Sequence, residues 1–380
     1  MTAPPSPHRP SQRPRSARIT DAWQRKGLLA ISLLPLSWVY AGLGALRRGL
    51  YRAGLLKTYR ASVPVVVVGN VIAGGAGKTP VTIHLVQALQ ALGWRPAVIS
   101  RGYGRVDAKA GAVIEAHPDS NPHTVGDEPL LIAQRTNPAA SVTLKTPVFI
   151  AKQRAHAAQA ALLAHPDTDL LISDDGLQHL ALARDVEIAV FNARGVGNGW
   201  QLPAGPLREP WPRPLDIALY AGQPPAHLST SGATAWPVHR NLADYAIRSN
   251  GEQVPLATLR SQPARALAAI AYPQEFFAML RAQGLQLTRC DALPDHANLA
   301  DPALLTQLDL AAYAGHAPPT IDTPVLLCTE KDAHKLWRIA PQALAVPLAV
   351  QIDDAFAQHV HQLLLAQGHR PRATPHFAKD

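Results

Sequence analysis

Residues 63–79 read VPVVVVGNVIAGGAGKT. Four consecutive valines make a short β-branched run that is apolar on both sides, the pattern of a strand buried in a parallel sheet. A glycine-rich turn follows, and residues 80–92 then take up the apolar spacing of a helix. Strand, glycine turn and helix in that order form a phosphate-binding loop. Gly74, Gly75, Ala76 and Gly77 let backbone N–H groups curl around phosphates, Lys78 brings a positive charge to the terminal phosphates, and Thr79 offers a hydroxyl to Mg2+. The strict pattern G-x-x-x-x-G-K-[ST] asks for glycine at position 72, where this chain has Ile72, so the loop is a variant. The bland alternative is a glycine-rich turn followed by an unremarkable Lys-Thr.

Residues 95–100, 169–173, 187–192 and 216–220 read as further strands. Residues 127–134 and 149–164 read as helices between them. This alternation predicts an α/β fold: a P-loop NTPase-type parallel sheet with helices on both faces. Residues 222–262 are loop-rich and lack a period. A second α/β pattern starts with a strand at 266–271 and a helix at 274–283. Strands at 323–328 and 346–351 and a helix at 355–366 complete it. The expected organisation is a basic arm with an apolar helix (1–60), a P-loop domain (61–221), a loop-rich linker (222–262) and a smaller C-terminal α/β domain (263–380).

The chain has 380 residues, 47 % of them hydrophobic, and a formal charge of +9. That charge is local. Residues 1–60 hold 11 Lys/Arg against one acid, Asp21, whereas the remaining residues hold 25 bases and 26 acids. A basic nucleic-acid-binding face is therefore not expected. Two cysteines, Cys290 and Cys328, exclude a disulfide framework and a Cys-rich zinc site. Residues 1–18 are rich in Pro, Ser and Arg and read as disordered. Residues 27–46, GLLAISLLPLSWVYAGLGAL, carry no charge and are flanked by bases on both sides. Their length just suffices to span a bilayer, but Pro35 is expected to kink the run. A membrane-associating helix lying in the interface is favoured over a spanning one, with bases on anionic head groups and Trp38 and Tyr40 at the boundary.

Several further segments carry candidate chemistry. Asp174 and Asp175 end an apolar strand in LLISDDGLQH, where a phosphate-loop domain holds Mg2+. Adjacent acids point in different directions, so one of them is the direct ligand. Asp127 and Glu128 open a helical stretch; each is either an ordinary helix-terminal acid or the base that deprotonates an acceptor hydroxyl. SRGYGR places Arg101, Tyr103 and Arg105 after a strand, suited to an anionic or sugar ligand. Residues 195–209 form a long Gly/Pro-rich loop, a length uncommon without function. Pro294-Asp295-His296 is a weak signal alone. Thr329-Glu330-Lys331-Asp332 bears a faint likeness to a guanine-reading element, but a capped helix start is the better reading.

Taken together, GNVIAGGAGKTP, SRGYGR, GDEP, DDGLQH, GNGWQLPAGPLRE, PDH and TEKD resemble, in the same order, the tetraacyldisaccharide 4′-kinases, the lipid A 4′-kinases of Gram-negative bacteria. The resemblance covers about residues 60–335, and the apolar N-terminal helix also fits. It accounts for Ile72, because the loop of that family has this form. It implies transfer of the ATP γ-phosphoryl group to the 4′-hydroxyl of a tetraacylated glucosamine disaccharide 1-phosphate. It further implies Asp127 as base with His296 as its partner, and Glu128 as a further Mg2+ contributor beside Thr79, Asp174 and Asp175. Arg101, Tyr103, Asn198, Arg208 and Glu209 become candidates for the substrate phosphate and sugar hydroxyls. The implied location is the cytoplasmic face of the bacterial inner membrane, with a lipid substrate, an anionic membrane surface and no protein partner. Two departures stand out. Ala297 replaces a second histidine often found after PDH, and IAYP at 270–273 lacks the usual Gly-Asn turn. A membrane-associated regulatory P-loop ATPase is the alternative reading.

Overall fold

The computed structural model describes residues 22–103, 105, 112–137, 145–295, 297, 299, 301–314 and 323–372. Residues 1–18 and His296 lie outside the described residues.

The valine run forms β1 (Val65–Gly69), buried throughout. Val66 and Val68 enter one core and Val65 and Val67 the other, the alternation of a strand covered on both faces. Each such valine contributes about 1.5 kcal/mol or more relative to exposure. The strands β2 (Pro96–Ser100), β3 (Ile114–Ala116), β4 (Val148–Ile150), β5 (Leu170–Asp174), β6 (Val186–Phe191), β7 (Ile217–Tyr220) and β8 (Thr234–Pro237) join it. The eight-stranded order is β3-β4-β2-β5-β1-β6-β7-β8. All neighbours are parallel except β3 with β4. Central β1 lies between β5 and β6, so its carboxyl end is where a ligand crevice opens.

A short ribbon pairs β9 (His239–Leu242) with a late strand. The second sheet is built from β10 (Tyr245–Ile247), β11 (Gln253–Pro255), β12 (Pro263–Ala268), β13 (Gln286–Ala292), β14 (Val325–Thr329) and β15 (Leu344–Val346). Its order is β11-β10-β15-β14-β12-β13, and β16 (Leu348–Gln351) closes the ribbon against β9. Residues 222–262, expected as a loop-rich linker, thus supply β8 to the first sheet, β9 to the ribbon, and β10 and β11 to the second sheet. These strands have three or four residues each, too few for a period to emerge. Phe149 and Ile150, expected in a helix, belong to β4.

The helices are α1 (Leu28–Ser32), α2 (Leu34–Arg52), α3 (Lys78–Ala91), α4 (Pro122–Val125), α5 (Asp127–Thr136), α6 (Arg154–Ala164), α7 (Pro273–Ala282), α8 (Pro302–Leu308), α9 (Glu330–Leu336) and α10 (Asp354–Ala366). Helix α3 and α6 cover opposite faces of the first sheet. Helix α10 returns from the end of the chain to that sheet, burying Phe356, Val360 and Leu364 in its core.

Pro35 does not kink a helix from within. The apolar run breaks at Leu33, and Pro35 stands in the first turn of α2, where a missing N–H does no harm. Among the described residues no helix is long and apolar enough to cross a membrane. Helix α2 docks through its polar atoms. Ser37 Oγ donates to the Gln201 carbonyl (2.6 Å), Tyr40 Oη to that of Arg208 (2.8 Å), and Arg47 Nη1 to that of Gln178 (3.1 Å). Leu36, Trp38, Val39, Leu43 and Leu46 are left exposed, Trp38 at 69 %.

Candidate active site

A cavity of about 1010 Å³ lies between the sheets, at the carboxyl end of β1. The phosphate loop forms its floor. Gly74 has φ +98° and Gly77 φ +79°, left-handed conformations that glycine adopts without strain. Two buried amides shape the turn: Asn70 Nδ2 donates to the Gly74 carbonyl (3.2 Å) and Asn192 Nδ2 to that of Gly75 (3.1 Å). Ile72 is buried in the second core and bridges to Leu207. An isoleucine is therefore suited to a position that faces the core rather than the ligand. Lys78 and Thr79 begin α3 and line the cavity.

The β1–β5 register pairs Val68 with Asp174, which sets the acid pair level with the loop. Asp175, at φ +50°, turns into the cavity. Its Oδ1 faces Lys78 Nζ at 3.6 Å and Arg208 Nη1 at 3.1 Å. Burial opposes its charge, but Lys78, Arg208 and Arg154 outweigh burial and hold its carboxyl below the usual range. Asp174 is buried, and Thr82 Oγ1 donates to its Oδ1 (3.0 Å). Burial first, and then the negative charge of Glu128, pushes its carboxyl up to about 7. The same cause pushes His179 down to about 3, helped by Arg154 and Arg101.

Thr79, Asp174, Asp175 and Glu128 fit a hard divalent cation such as Mg2+. Asp174 Oδ2 is buried without a hydrogen-bond partner among the described residues, and Glu128 and Asp175 crowd negative charge beside it. Among those residues no three His, Cys, Asp or Glu side chains converge closely enough to hold an ion alone. That suits a cation that takes one or two carboxylates plus phosphate oxygens.

The two acids of GDEP separate. Glu128 lines the cavity, whereas the Asp127 carboxylate is nearly buried and its Oδ2 meets Lys335 Nζ at 2.6 Å. Lys331 Nζ lies 3.6 Å from Glu128 Oε1 and 3.2 Å from Asp295 Oδ1. The segment TEKD is a capped helix start, as expected, with Thr329 Oγ1 accepting from the Asp332 N–H. The helix it starts, α9, also carries Lys331 to the cavity and Lys335 to Asp127, a role the local sequence does not signal.

Arg101, Tyr103 and Arg208 line the cavity. Asn198 and Glu209 are buried behind it. Asn198 donates to the Ala204 carbonyl (2.9 Å) and accepts from the Trp200 N–H (3.0 Å). Glu209 accepts from Gln178 Nε2 (2.8 Å) and pairs with Arg213 Nε (3.2 Å). Both hold the 195–209 loop in shape. Arg154 is a further functional side chain of the site. Its Nη2 donates to the carbonyls of Asp174 (2.9 Å) and Asp175 (3.0 Å). Its Nε and Nη1 are buried and have no partner among the described residues. Burial lowers its guanidinium to about 10, and the side chain lines the cavity. Nothing around residue 154 in the sequence marks it, because its position depends on β4 ending where β5 ends.

A phosphate loop on the central strand, an acid pair on its neighbour and a cationic cleft define a P-loop phosphotransferase. Comparison with known proteins gives the family. The model for Tetraacyldisaccharide-1-P 4′-kinase matches residues 29–365. The Tetraacyldisaccharide 4′-kinase of Acidovorax sp. (strain JS42) is 52 % identical over 351 residues, covering 92 % of this chain and 95 % of that one. The protein of the same name from Delftia acidovorans is 46 % identical over 361 residues, covering 95 % and 98 %. The crystal structure of LpxK from Aquifex aeolicus in complex with ATP aligns with TM-score 0.69 at 25 % identity, over 88 % of this chain and 99 % of that one. The chain belongs to the tetraacyldisaccharide-1-P 4′-kinase family.

Proposed function

We infer that this chain transfers the γ-phosphoryl group of ATP to the 4′-hydroxyl of a tetraacylated glucosamine disaccharide 1-phosphate, at the cytoplasmic face of a bacterial inner membrane. One observation supports this reading beyond family membership: Tyr40 and Arg47 of α2 line the same cavity as Lys78 and Thr79. A helix with an exposed apolar face thus borders the phosphoryl-transfer site. A lipid acceptor needs that arrangement, because its acyl chains stay in the membrane while its sugar enters the cleft.

In the proposed step the acceptor oxygen attacks the γ-phosphorus. The bond from that phosphorus to the β,γ-bridging oxygen breaks, and ADP leaves. Lys78 and the loop amides neutralise charge on the β- and γ-phosphates, and Arg154 lines the same cavity. Thr79, Asp174, Asp175 and Glu128 would hold Mg2+, which when bound neutralises phosphate charge. Asp127 receives the acceptor's proton, assisted by His296. Lys335 Nζ, 2.6 Å from Asp127 Oδ2, keeps that carboxylate in place. Arg101, Tyr103 and Arg208 contact the substrate phosphate and sugar hydroxyls, while Asn198 and Glu209 act through the loop they shape.

The test is incubation with ATP and the lipid disaccharide 1-phosphate, followed by mass spectrometry. The expected product carries one additional phosphate at the 4′-oxygen. ATP turnover without a phosphorylated lipid would replace this reading with the regulatory ATPase.

A further inference from the structure

Arg240 projects from the ribbon strand β9 into the cavity beside the phosphate loop. A Cβ built on Gly77 would lie 3.4 Å from Arg240 Cδ and 3.6 Å from its Nη1. The guanidinium therefore lies against the last glycine of the loop, where α3 begins. Its Nη2 pairs with Glu275 Oε2 at 3.3 Å. Glu275 stands in the first turn of α7 and lines the same cavity. The two side chains are 19 % and 39 % exposed, so water screens the pair and holds it weakly.

The other cations around the loop are engaged with groups of the first-sheet wall itself. Lys78 and Arg208 share Asp175, and Arg154 donates to two main-chain carbonyls. Arg240 has a partner that it can exchange. A triphosphate over the loop amides brings several negative charges to this position. A guanidinium, with its planar fork of donors, suits phosphate oxygens as well as a carboxylate, and the triphosphate carries the larger charge.

We propose that Arg240 positions the nucleotide by exchanging Glu275 for a phosphate oxygen of ATP, so that Glu275 competes with the nucleotide for the same guanidinium. The proposal rests on residues 74–79 being the ATP phosphate loop. Its consequence is structural as well as electrostatic. Arg240 sits on the ribbon between the sheets and Glu275 on a helix of the second sheet. The exchange therefore makes the contact between sheets responsive to nucleotide.

The proposal makes the two halves of one ion pair act in opposite directions. The test is calorimetric titration of the full-length protein with the β,γ-methylene analogue of ATP. Arg240→Ala weakens binding roughly ten-fold or more, the size of one charge-assisted hydrogen bond. Arg240→Lys recovers part of the loss, and Glu275→Gln tightens binding about two- to five-fold. In turnover, Arg240→Ala raises KM for ATP and leaves KM for the lipid unchanged. A purely structural pair would make Arg240→Ala and Glu275→Gln alike in binding and in melting temperature, and that result overturns the proposal. Unchanged binding in Arg240→Lys and Glu275→Gln, both close in shape to the original, overturns it too, even if Arg240→Ala folds poorly. If the wild-type protein itself fails to bind the analogue, the ATP assignment falls, and this proposal with it.

Discussion

The two walls of the cleft hold their charged groups in different ways. On the first-sheet wall, position comes from backbone. Lys78 and Thr79 are fixed by the turn between β1 and α3, and Asp174 by register with Val68. On the second-sheet wall, position comes from ion pairs that cross the gap. Lys335 meets Asp127, Lys331 meets Glu128, and Glu330 meets Arg135 at 3.2 Å. One wall is set by the folding of a single sheet, whereas the other depends on the approach of two. Substitutions on the first wall should therefore remove chemistry outright, and those on the second should degrade alignment.

The largest effect is expected at Lys78. Lys78→Ala should lower turnover by about 10³-fold or more, because a charge aimed at the transferring group is lost. Steady-state kinetics on lipid and ATP checks this, and near-normal turnover would remove the kinase assignment. Next, Asp127→Ala and His296→Ala should each reduce turnover by about 10²-fold or more with little change in ATP affinity. If they act as a unit, the double variant is little worse than the weaker single one. Fully multiplying losses would separate them, and near-normal Asp127→Ala would move the base to Glu128, which faces the cavity.

Lys335 distinguishes the two walls. Lys335→Ala should cost turnover about ten-fold, and in a cycle with Asp127→Ala the two losses should not add. Losses as deep as those of Lys78→Ala would mean that the second wall supplies chemistry directly. A smaller effect on catalysis, but a clear one on location, is expected at α2. Trp38→Glu with Leu43→Glu should reduce sedimentation with anionic vesicles several-fold while ATP binding persists. Equal sedimentation would place membrane attachment elsewhere in the chain.

The smallest effect concerns stability. His179 is held neutral down to about pH 3 by burial and by Arg154 and Arg101. Unfolded, it takes up a proton near pH 6.5. Its contribution is therefore present above about pH 6.5 and is lost progressively as pH falls toward 3. His179→Asn should flatten the acid limb of the melting-temperature profile in that window, by one proton taken up on unfolding. An unaltered slope would show that other groups carry the acid sensitivity.

The difference between the walls also explains what the sequence made legible. The phosphate loop, the acid pair and GDEP are contiguous segments whose turn and strand signals stand beside their functional side chains. The strands 95–100, 169–173, 187–192 and 216–220 lie within two residues of the observed ones because long apolar runs define them. Residues 222–262 escaped because their strands are short and mostly exposed, as in β8 and β9. Lys331, Lys335 and Arg240 escaped for a different reason. Each gains its role from a residue far away in sequence, and only the meeting of two sheets makes the pair.

The most direct test of the account is the coupling between nucleotide and lipid. ADP and the 4′-phosphomonoester are counted together by phosphorus NMR during turnover of the wild-type protein. If both walls form one lipid-kinase site, one ADP appears for each new phosphomonoester, and ADP production stops when the lipid is omitted. ADP produced without lipid, or in clear excess over the phosphomonoester, would contradict the account.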